Sequence, residues 1–462
     1  MNYAIILAAG KGTRMKTEMP QCAYPLIRKP MVAYVVENVL NSDFDEVIAV
    51  IGYKREIIKD ILGESVKYAV QEEQLGTGHA VLAAENLVTD LEGDTIILSG
   101  NMPLFDADSI NCAFRDHKNR RHDLTVITTM VDDPTGFGRI VRNEYGLYLE
   151  EIAEEEEATF LQKSIKEINT GVYIVKNKYL FDALRKINND NRRKEYYLTD
   201  IVKVFQKENL VVGTYGIKDA LQATSINDLY ALSIAEAKLR LKINRQHMLN
   251  GVAMINPETI TIGHNVIIEE NVVIHPNTYI TGNSVIKKGA QIGPNTEIHE
   301  SIIGERVRCR HSLVYNSIVQ EGTTVGPFAH LRDGANIGPN NRIGNFVEVK
   351  KSSTGANTKA SHLAYIGDTT CGSSVNFGCG SITVNYDGKQ KYQTYIGDDV
   401  FIGCNVNMIA PIRIEDHSFI AAGSTLSKNV PKHALAIARA YQVNKENYLR
   451  ENDIHKPKAE KE

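Results

Sequence analysis

The chain has 462 residues, 43% of them hydrophobic and 23% charged, with a formal charge of -4. That length exceeds one typical core and calls for about two to three domains. The near-balanced charge excludes a broad nucleic-acid-binding surface, and no apolar run approaches the roughly 20 residues of a membrane-spanning helix.

Met1–Gly12, MNYAIILAAGKG, has no basic region before its apolar stretch and passes straight into a glycine loop, so it reads as a buried first strand and not as a signal peptide. Cys22, Cys112, Cys309, Cys371, Cys379 and Cys404 are scattered without a CxxC pair. They read as reduced thiols, and the expected location is cytoplasmic. Residues 1–227 alternate β-rich runs with helical patterns. The predicted strands are 3–7, 46–51, 95–98, 124–129 and 172–175, with helices over 31–40 and 79–86. Alternation of this kind specifies an α/β domain with a mostly parallel sheet and binding residues on loops beyond the strand ends.

Residues 228–250 carry the clearest helical pattern, with Leu229, Leu232, Leu239 and Ile243 able to share one apolar side, and read as a helix linking two domains. From Ile262 the period changes. Ile262, Ile268, Ile274, Ile280, Ile286, Ile292 and Ile298 recur every six residues. Ile396, Ile402, Met408, Ile414, Ile420 and Leu426 repeat the pattern, and Ile337, Ile343 and Val349 keep it locally where the register between the two runs is broken. Neither the helical period of about 3.6 nor the strand period of 2 gives six. A coil of three short strands per turn does, with one aliphatic residue per face pointing inward and glycine relieving the corners. Residues 251–440 are therefore predicted to form a parallel β-helix. The tail, 441–462, is charged and carries no motif.

The first loop, Leu7-Ala8-Ala9-Gly10-Lys11-Gly12-Thr13-Arg14-Met15, follows a strand directly. Small residues let backbone N–H groups approach a phosphate, and Lys11, Arg14 and Lys16 add positive charge. Together with QEEQLGTGHA (71–80), LSGNMPL (98–104), GFGRIV (136–141), EINTG (167–171) and EYYLTD (195–200), the loop resembles that of a sugar-phosphate nucleotidylyltransferase. The second half adds HLRDG (330–334), NFVEVKK (345–351), SHLAYIGD (361–368), VNFGCGSITVNYDG (375–388) and AIAR (436–439). From residue 1 to about 440 the chain resembles the bifunctional N-acetylglucosamine-1-phosphate uridylyltransferase / glucosamine-1-phosphate acetyltransferase family. The resemblance implies a Rossmann-like α/β nucleotidyltransferase domain followed by a left-handed parallel β-helix of hexapeptide repeats. It also implies a homotrimer that makes UDP-N-acetylglucosamine from UTP, glucosamine-1-phosphate and acetyl-CoA by way of N-acetylglucosamine-1-phosphate, with Mg2+ as cofactor.

Acetyl transfer to a sugar amine needs a base, a positioned thioester and stabilisation of an oxyanion. The resemblance assigns His362 as the base, an imidazole being suited to proton transfer near neutrality. It assigns Arg332, Lys350, Tyr365 and Asn376 to the sugar phosphate and Glu348 to orienting those contacts. Cys379, Asn385, Tyr386, Cys404, Ala422 and Arg439 fall at acetyl-CoA positions, with Lys391 on the same loop as Asn385 and Tyr386. Cysteine stands where the family carries small residues, and neither thiol is needed as a nucleophile.

For uridylyl transfer the resemblance assigns Leu7, Ala8, Ala9 and Gly10 to the nucleotide, and Gln71, Gly76 and Thr77 to the base. Gly138, Glu154 and Asn169 fall to the sugar, Ser99 and Gly100 flank the metal position, and Asn227 is a metal ligand. Two positions depart from the family. Asn101 replaces the aspartate that supplies its metal carboxylate, and Gln21 replaces a phosphate-binding lysine. Asparagine keeps a carbonyl oxygen but lacks the charge that a hard cation prefers, and glutamine cannot neutralise developing charge. Lys16 and Lys29 are candidates to supply the missing charge. Three readings follow: a bifunctional enzyme, an acetyltransferase with a nucleotide- or sugar-binding regulatory domain, or a pyrophosphorylase whose β-helix serves assembly alone. His362, Arg332, Lys350 and Tyr365 count against the third.

Overall fold

The computed structural model describes residues 1–223 and 225–448. The stretch 449–462 of the charged tail lies outside the described residues. The chain divides into two compact units, Met1–Ile243 and Asn244–Glu462.

The first unit is built on strand Tyr3–Ala8, whose alternate residues enter two cores. Tyr3 and Ile5 pack on one side, and Ala4, Ile6 and Ala8 on the other. Burial on both faces explains why the segment reads as an unbroken apolar run. Glu46–Ile51 and Asp94–Ser99 pair with it in parallel, and Lys67–Val70 extends the sheet beyond Glu46–Ile51. On the other side Glu167–Lys176 runs antiparallel between Asp94–Ser99 and Leu124–Met130, and Val212–Gly216 closes the edge in parallel. The register shifts between Asn169 and Tyr173. Such an irregularity re-aims side chains, and here it falls beside a cavity.

Helix Met31–Leu40 forms as predicted. The second predicted helix is divided into Thr77–Leu82 and a 3-10 turn over Glu85–Leu87. Ala80, Val81 and Ala84 remain buried, but the chain tightens to i→i−3 bonds from Ala84 N to Val81 O and from Leu87 N to Ala84 O. Helix Leu229–Leu249 buries Leu232, Ala235 and Leu239 against Leu26, Met31, Tyr34, Leu104 and Ile226, with Ile243 partly buried alongside. Leu229, predicted on this stripe, is 46% exposed, because the stripe begins one turn later.

In the second unit short parallel strands stack into three ladders. One is a nine-stranded sheet from Ile267–Ile268 to Ile412–Ile414. The other two are joined because Arg342–Lys350 and Lys359–Gly367 each contribute to both. The inward residues of the six-residue repeat are buried throughout, among them Ile262, Ile280, Ile298, Ile343, Ile402 and Ile420.

The broken register has a simple cause. Val273 pairs with Gln291, eighteen residues on, whereas Glu297 pairs with Leu313, sixteen residues on. Thr369 pairs with Thr394, twenty-five on, so one coil carries an added loop around residues 385–393. Coil length varies while the pairing stays parallel. Corners are turned by asparagine as well as by the glycine expected from sequence. Asn271, Asn277, Asn295, Asn316, Asn340, Asn357 and Asn405 have φ between 46 and 60°. Asparagine tolerates the left-handed region and adds polar contacts between coils, as in the 3.1 Å bond from Asn277 Nδ2 to Asn295 Oδ1.

The ladder makes each inward side chain a packing site with neighbours above and below. Ile280→Ala is expected to cost about 2–5 kcal/mol, read as a lower urea midpoint with an unchanged m-value. A cost below about 1 kcal/mol would mean that the ladder relaxes freely around the gap.

Candidate active sites

At the end of the first strand the chain turns through Ala9 and Gly10, and a cavity of about 420 Å³ opens in the first unit. Leu7, Ala9, Gly10, Gln21, Gln71, Gly76, Thr77, Ser99, Asn101, Glu154, Asn169 and Asn227 line it. Three assigned residues do not. Ala8 points into the core on the opposite face of its strand. Gly100 lies behind the wall, its N–H donating to Leu7 O at 2.9 Å, and a Cβ there would stand 3.1 Å from Cys22 Sγ. Gly138 backs Asn169, whose N–H it accepts at 2.8 Å. Gly12 is tightly held, because its φ is +67° and a Cβ would fall 2.4 Å from that of Gln21. The glycine loop is therefore shaped to pack on residue 21.

Gln71 is buried, with Nε2 3.2 Å from Gly76 O and 3.0 Å from His79 Nδ1. Asn169 donates to Tyr173 Oη at 2.6 Å and accepts from Gly171 N at 2.9 Å, which fixes its amide at the strand irregularity. Glu154 accepts from Thr199 Oγ1 at 3.0 Å. Burial raises its carboxyl above the usual range, with help from Asp200 and Glu157, against the hydrogen bond from Thr199. Gln74, Tyr173, Glu195, Thr199 and Ser225 also line the cavity and were not singled out from sequence. Glu195 and Thr199 lie within the quoted string EYYLTD, so the signal was present but undivided.

The two departures from the family come together. Asn101 Nδ2 donates to Ser225 Oγ at 2.9 Å, Ile226 O at 3.1 Å and Asn227 Oδ1 at 3.2 Å. Its Oδ1 accepts from Ser99 Oγ at 2.6 Å. Gln21 Nε2 donates to the same Ile226 O and, at 3.1 Å, to the same Asn227 Oδ1. Neither Asn101 nor Asn227 carries negative charge, and the oxygen of Asn227 is already claimed by two amide donors. This donor set does not fit a divalent cation, which prefers charged oxygen. Among the described residues no group of three or more His, Cys, Asp and Glu side chains is placed to hold a metal.

In the second unit Asn345 and His362 are register partners on adjacent coils, with Asn345 Oδ1 2.7 Å from His362 Nδ1. The amide oxygen accepts only, so Nδ1 is the donor in this contact. Asn345 lies in the quoted NFVEVKK string but was not singled out. The corner continues downward: Leu363 O accepts from Gly380 N at 2.6 Å, Cys379 O from Asn405 N at 2.8 Å and Cys404 O from Gly423 N at 2.8 Å. Arg439 closes this series by donating to Ala422 O at 2.9 Å. Cys379 and Cys404 are exposed free thiols, whereas Cys22, Cys309 and Cys371 are buried, their thiols pushed up to about 12 by desolvation.

Lys350 is buried and lies 3.8 Å from Asp368, which also accepts from Asn385 Nδ2. Lys391 stands next to Lys350, whose contact and charge lower its ammonium below the usual lysine range. Arg332 is held by Glu348 at 2.7 Å and by Asp333 at 2.6 Å. Tyr365 lies within 3.5 Å of Asn385, and Tyr386 bridges to Lys391 across the added loop. Asn376 is set apart. It pairs with Lys359 and Phe401 on the neighbouring ladder.

Residues 3–219 match the nucleotidyl transferase family, and residues 316–351 and 393–428 match the bacterial transferase hexapeptide family of six repeats. The chain is 58% identical over 459 residues to the bifunctional protein GlmU of Acholeplasma laidlawii, covering 99% of each. It is 46% identical to the bifunctional protein GlmU of Halalkalibacterium halodurans, over 97% of this chain and 98% of that one. For that of Geobacillus thermodenitrificans the identity is 47%, over 97% of both.

Because the folded pKa of Glu154 is raised, the native state binds more protons than the unfolded chain between the two titration points, and stability falls as pH rises through that window. Glu154→Gln is expected to remove this fall, seen as a flatter urea-stability profile of the first unit as pH rises above the ordinary glutamate range. A profile of unchanged slope would refute the assignment.

Proposed function

The chain belongs to the GlmU family of bifunctional proteins, and from that membership we propose how its two sites divide the chemistry. It is a transferase twice over, an acetyltransferase and a uridylyltransferase. Kinship across 99% of the chain favours both activities over acetyl transfer alone. Residues 1–227 carry the nucleotidyl reaction, 251–440 carry acetyl transfer, and the helix of 228–250 joins them.

In the second unit the 2.7 Å contact between Asn345 and His362 carries the reading. With Nδ1–H engaged, the Nε2 lone pair takes a proton from the amine of glucosamine-1-phosphate as its nitrogen attacks the thioester carbonyl of acetyl-CoA. The C–S bond then breaks, CoA leaves as the thiol, and N-acetylglucosamine-1-phosphate remains. Lys350, Lys391 and Arg332 supply positive charge for the sugar phosphate, with Asp368 and Glu348 orienting two of them. The corner through Cys379, Cys404 and Ala422 offers acetyl-CoA a track of small side chains, closed by the guanidinium of Arg439. Asn376, on the adjacent ladder, fits a site shared between subunits of a homotrimer, to which a hexapeptide coil is suited.

In the first unit a phosphate oxygen of N-acetylglucosamine-1-phosphate attacks the α-phosphorus of UTP and pyrophosphate leaves. The loop Leu7–Gly10 receives the nucleotide, Gln71, Gly76 and Thr77 the base, and Glu154 and Asn169 the sugar. Mg2+ is the ion expected for this family, but Asn101 and Asn227 do not fit it, and no step assigned to the chain runs through it. Among the described residues no helix is long and apolar enough to cross a membrane, consistent with the cytoplasmic location expected for these substrates.

His362→Ala is expected to lower acetyl transfer by at least ~100-fold, measured as CoA release, while pyrophosphate release from UTP and N-acetylglucosamine-1-phosphate is unchanged. Retention of half the acetyl transfer would exclude His362 as base. Asn345→Ala, which frees the ring without removing it, should cost about tenfold in kcat with little change in KM. An effect confined to KM would make Asn345 a binding residue.

A further inference from the structure

We propose that Gln21, Asn101 and Asn227 form an amide lock in place of a protein-held divalent cation. The chain then binds no metal of its own at the reacting end of the nucleotidyl cavity, and an ion arrives there only as part of a metal–nucleotide complex. The proposal rests on reading that cavity as the nucleotidyl site.

The orientation of the lock is set by the backbone. Ile226 O can only accept, and both Asn101 and Gln21 turn their NH2 groups toward it. The same two groups donate to Asn227 Oδ1 at 3.2 and 3.1 Å. Asn101 is 5% exposed and its own oxygen faces the Ser99 hydroxyl. An ion taking both Asn227 Oδ1 and Ile226 O as ligands would have to open four N–H···O contacts, two at each oxygen. No carboxylate stands at positions 21, 99, 101, 225 or 227 to compensate for that loss. Both nonstandard positions contribute to one network, so replacing either alone leaves part of the lock in place.

The geometry also predicts what a carboxylate would do here. In Asn101→Asp an oxygen takes the place of Nδ2 and faces Ile226 O and Asn227 Oδ1, which also cannot donate to it. That contact is repulsive until a cation enters between the three oxygens. The variant should therefore bind metal and depend on it for stability, whereas the original chain should do neither.

The test is Mn2+ binding by electron paramagnetic resonance, without nucleotide, alongside thermal unfolding in EDTA or Mn2+. The full-length protein should show no site over the range in which Asn101→Asp holds one Mn2+ per chain, a difference of at least about tenfold in affinity. Its melting temperature should ignore the metal, while that of Asn101→Asp falls in EDTA and recovers in Mn2+. The lock is overturned if the original chain binds one Mn2+ as tightly as the variant, or if it binds one Mn2+ that Asn101→Ala abolishes. The second comparison decides the matter even where Asn101→Asp does not fold. UTP binding in EDTA, followed by calorimetry, is read separately. Its absence would remove the nucleotidyl reading and leave the Mn2+ result standing on its own.

Discussion

Parallel strand pairing is the constraint from which both sites follow. In a parallel ladder each strand restarts at the same end, so residues far apart in sequence are stacked about 4.8 Å apart in register. In the β-helix this sets Asn345 against His362 and runs the corner on through Cys379 and Cys404. In the first unit it carries the ends of Tyr3–Ala8 and Asp94–Ser99 to the same edge, where their loops enclose the cavity. The buried aliphatic residues keep this stacking rigid. Because pairing is conserved across coils of different length, a loop can be added near residues 385–393 without shifting the rungs below it.

The two sites differ in how they treat charge. In the second unit Lys350 and Arg332 are each held by a carboxylate, with Lys391 next to Lys350, a grouping of positive charge suited to the phosphate of the proposed substrate. The nucleotidyl cavity is lined largely by neutral groups. Its amides at 21, 71, 101, 169 and 227 are committed to hydrogen bonds, and burial raises the Glu154 carboxyl above its usual range. Amides already satisfied in this way can orient a nucleotide through directed hydrogen bonds, but they contribute little field to stabilise a departing pyrophosphate.

The sequence by itself determined the fold class of each half. A period of six across Ile262–Ile298 points to a three-sided coil, and the apolar YAIILA run reads as a buried first strand. The family resemblance carried by its short strings brought most of the assigned cavity residues into view, because those strings are local. Tertiary structure decided what depends on neighbours distant in sequence. Ala8 was separated from Leu7 and Ala9 by strand alternation, and Gly100 and Gly138 proved to shape the wall from behind. Asn345 became visible only when its coil lay above that of His362. Whether Asn101 and Gln21 were separate losses or one device could not be read from positions 80 residues apart. Only the fold showed both amides turned onto the same two oxygens, because hydrogen-bond partners are set by three-dimensional proximity and sequence records chain order alone.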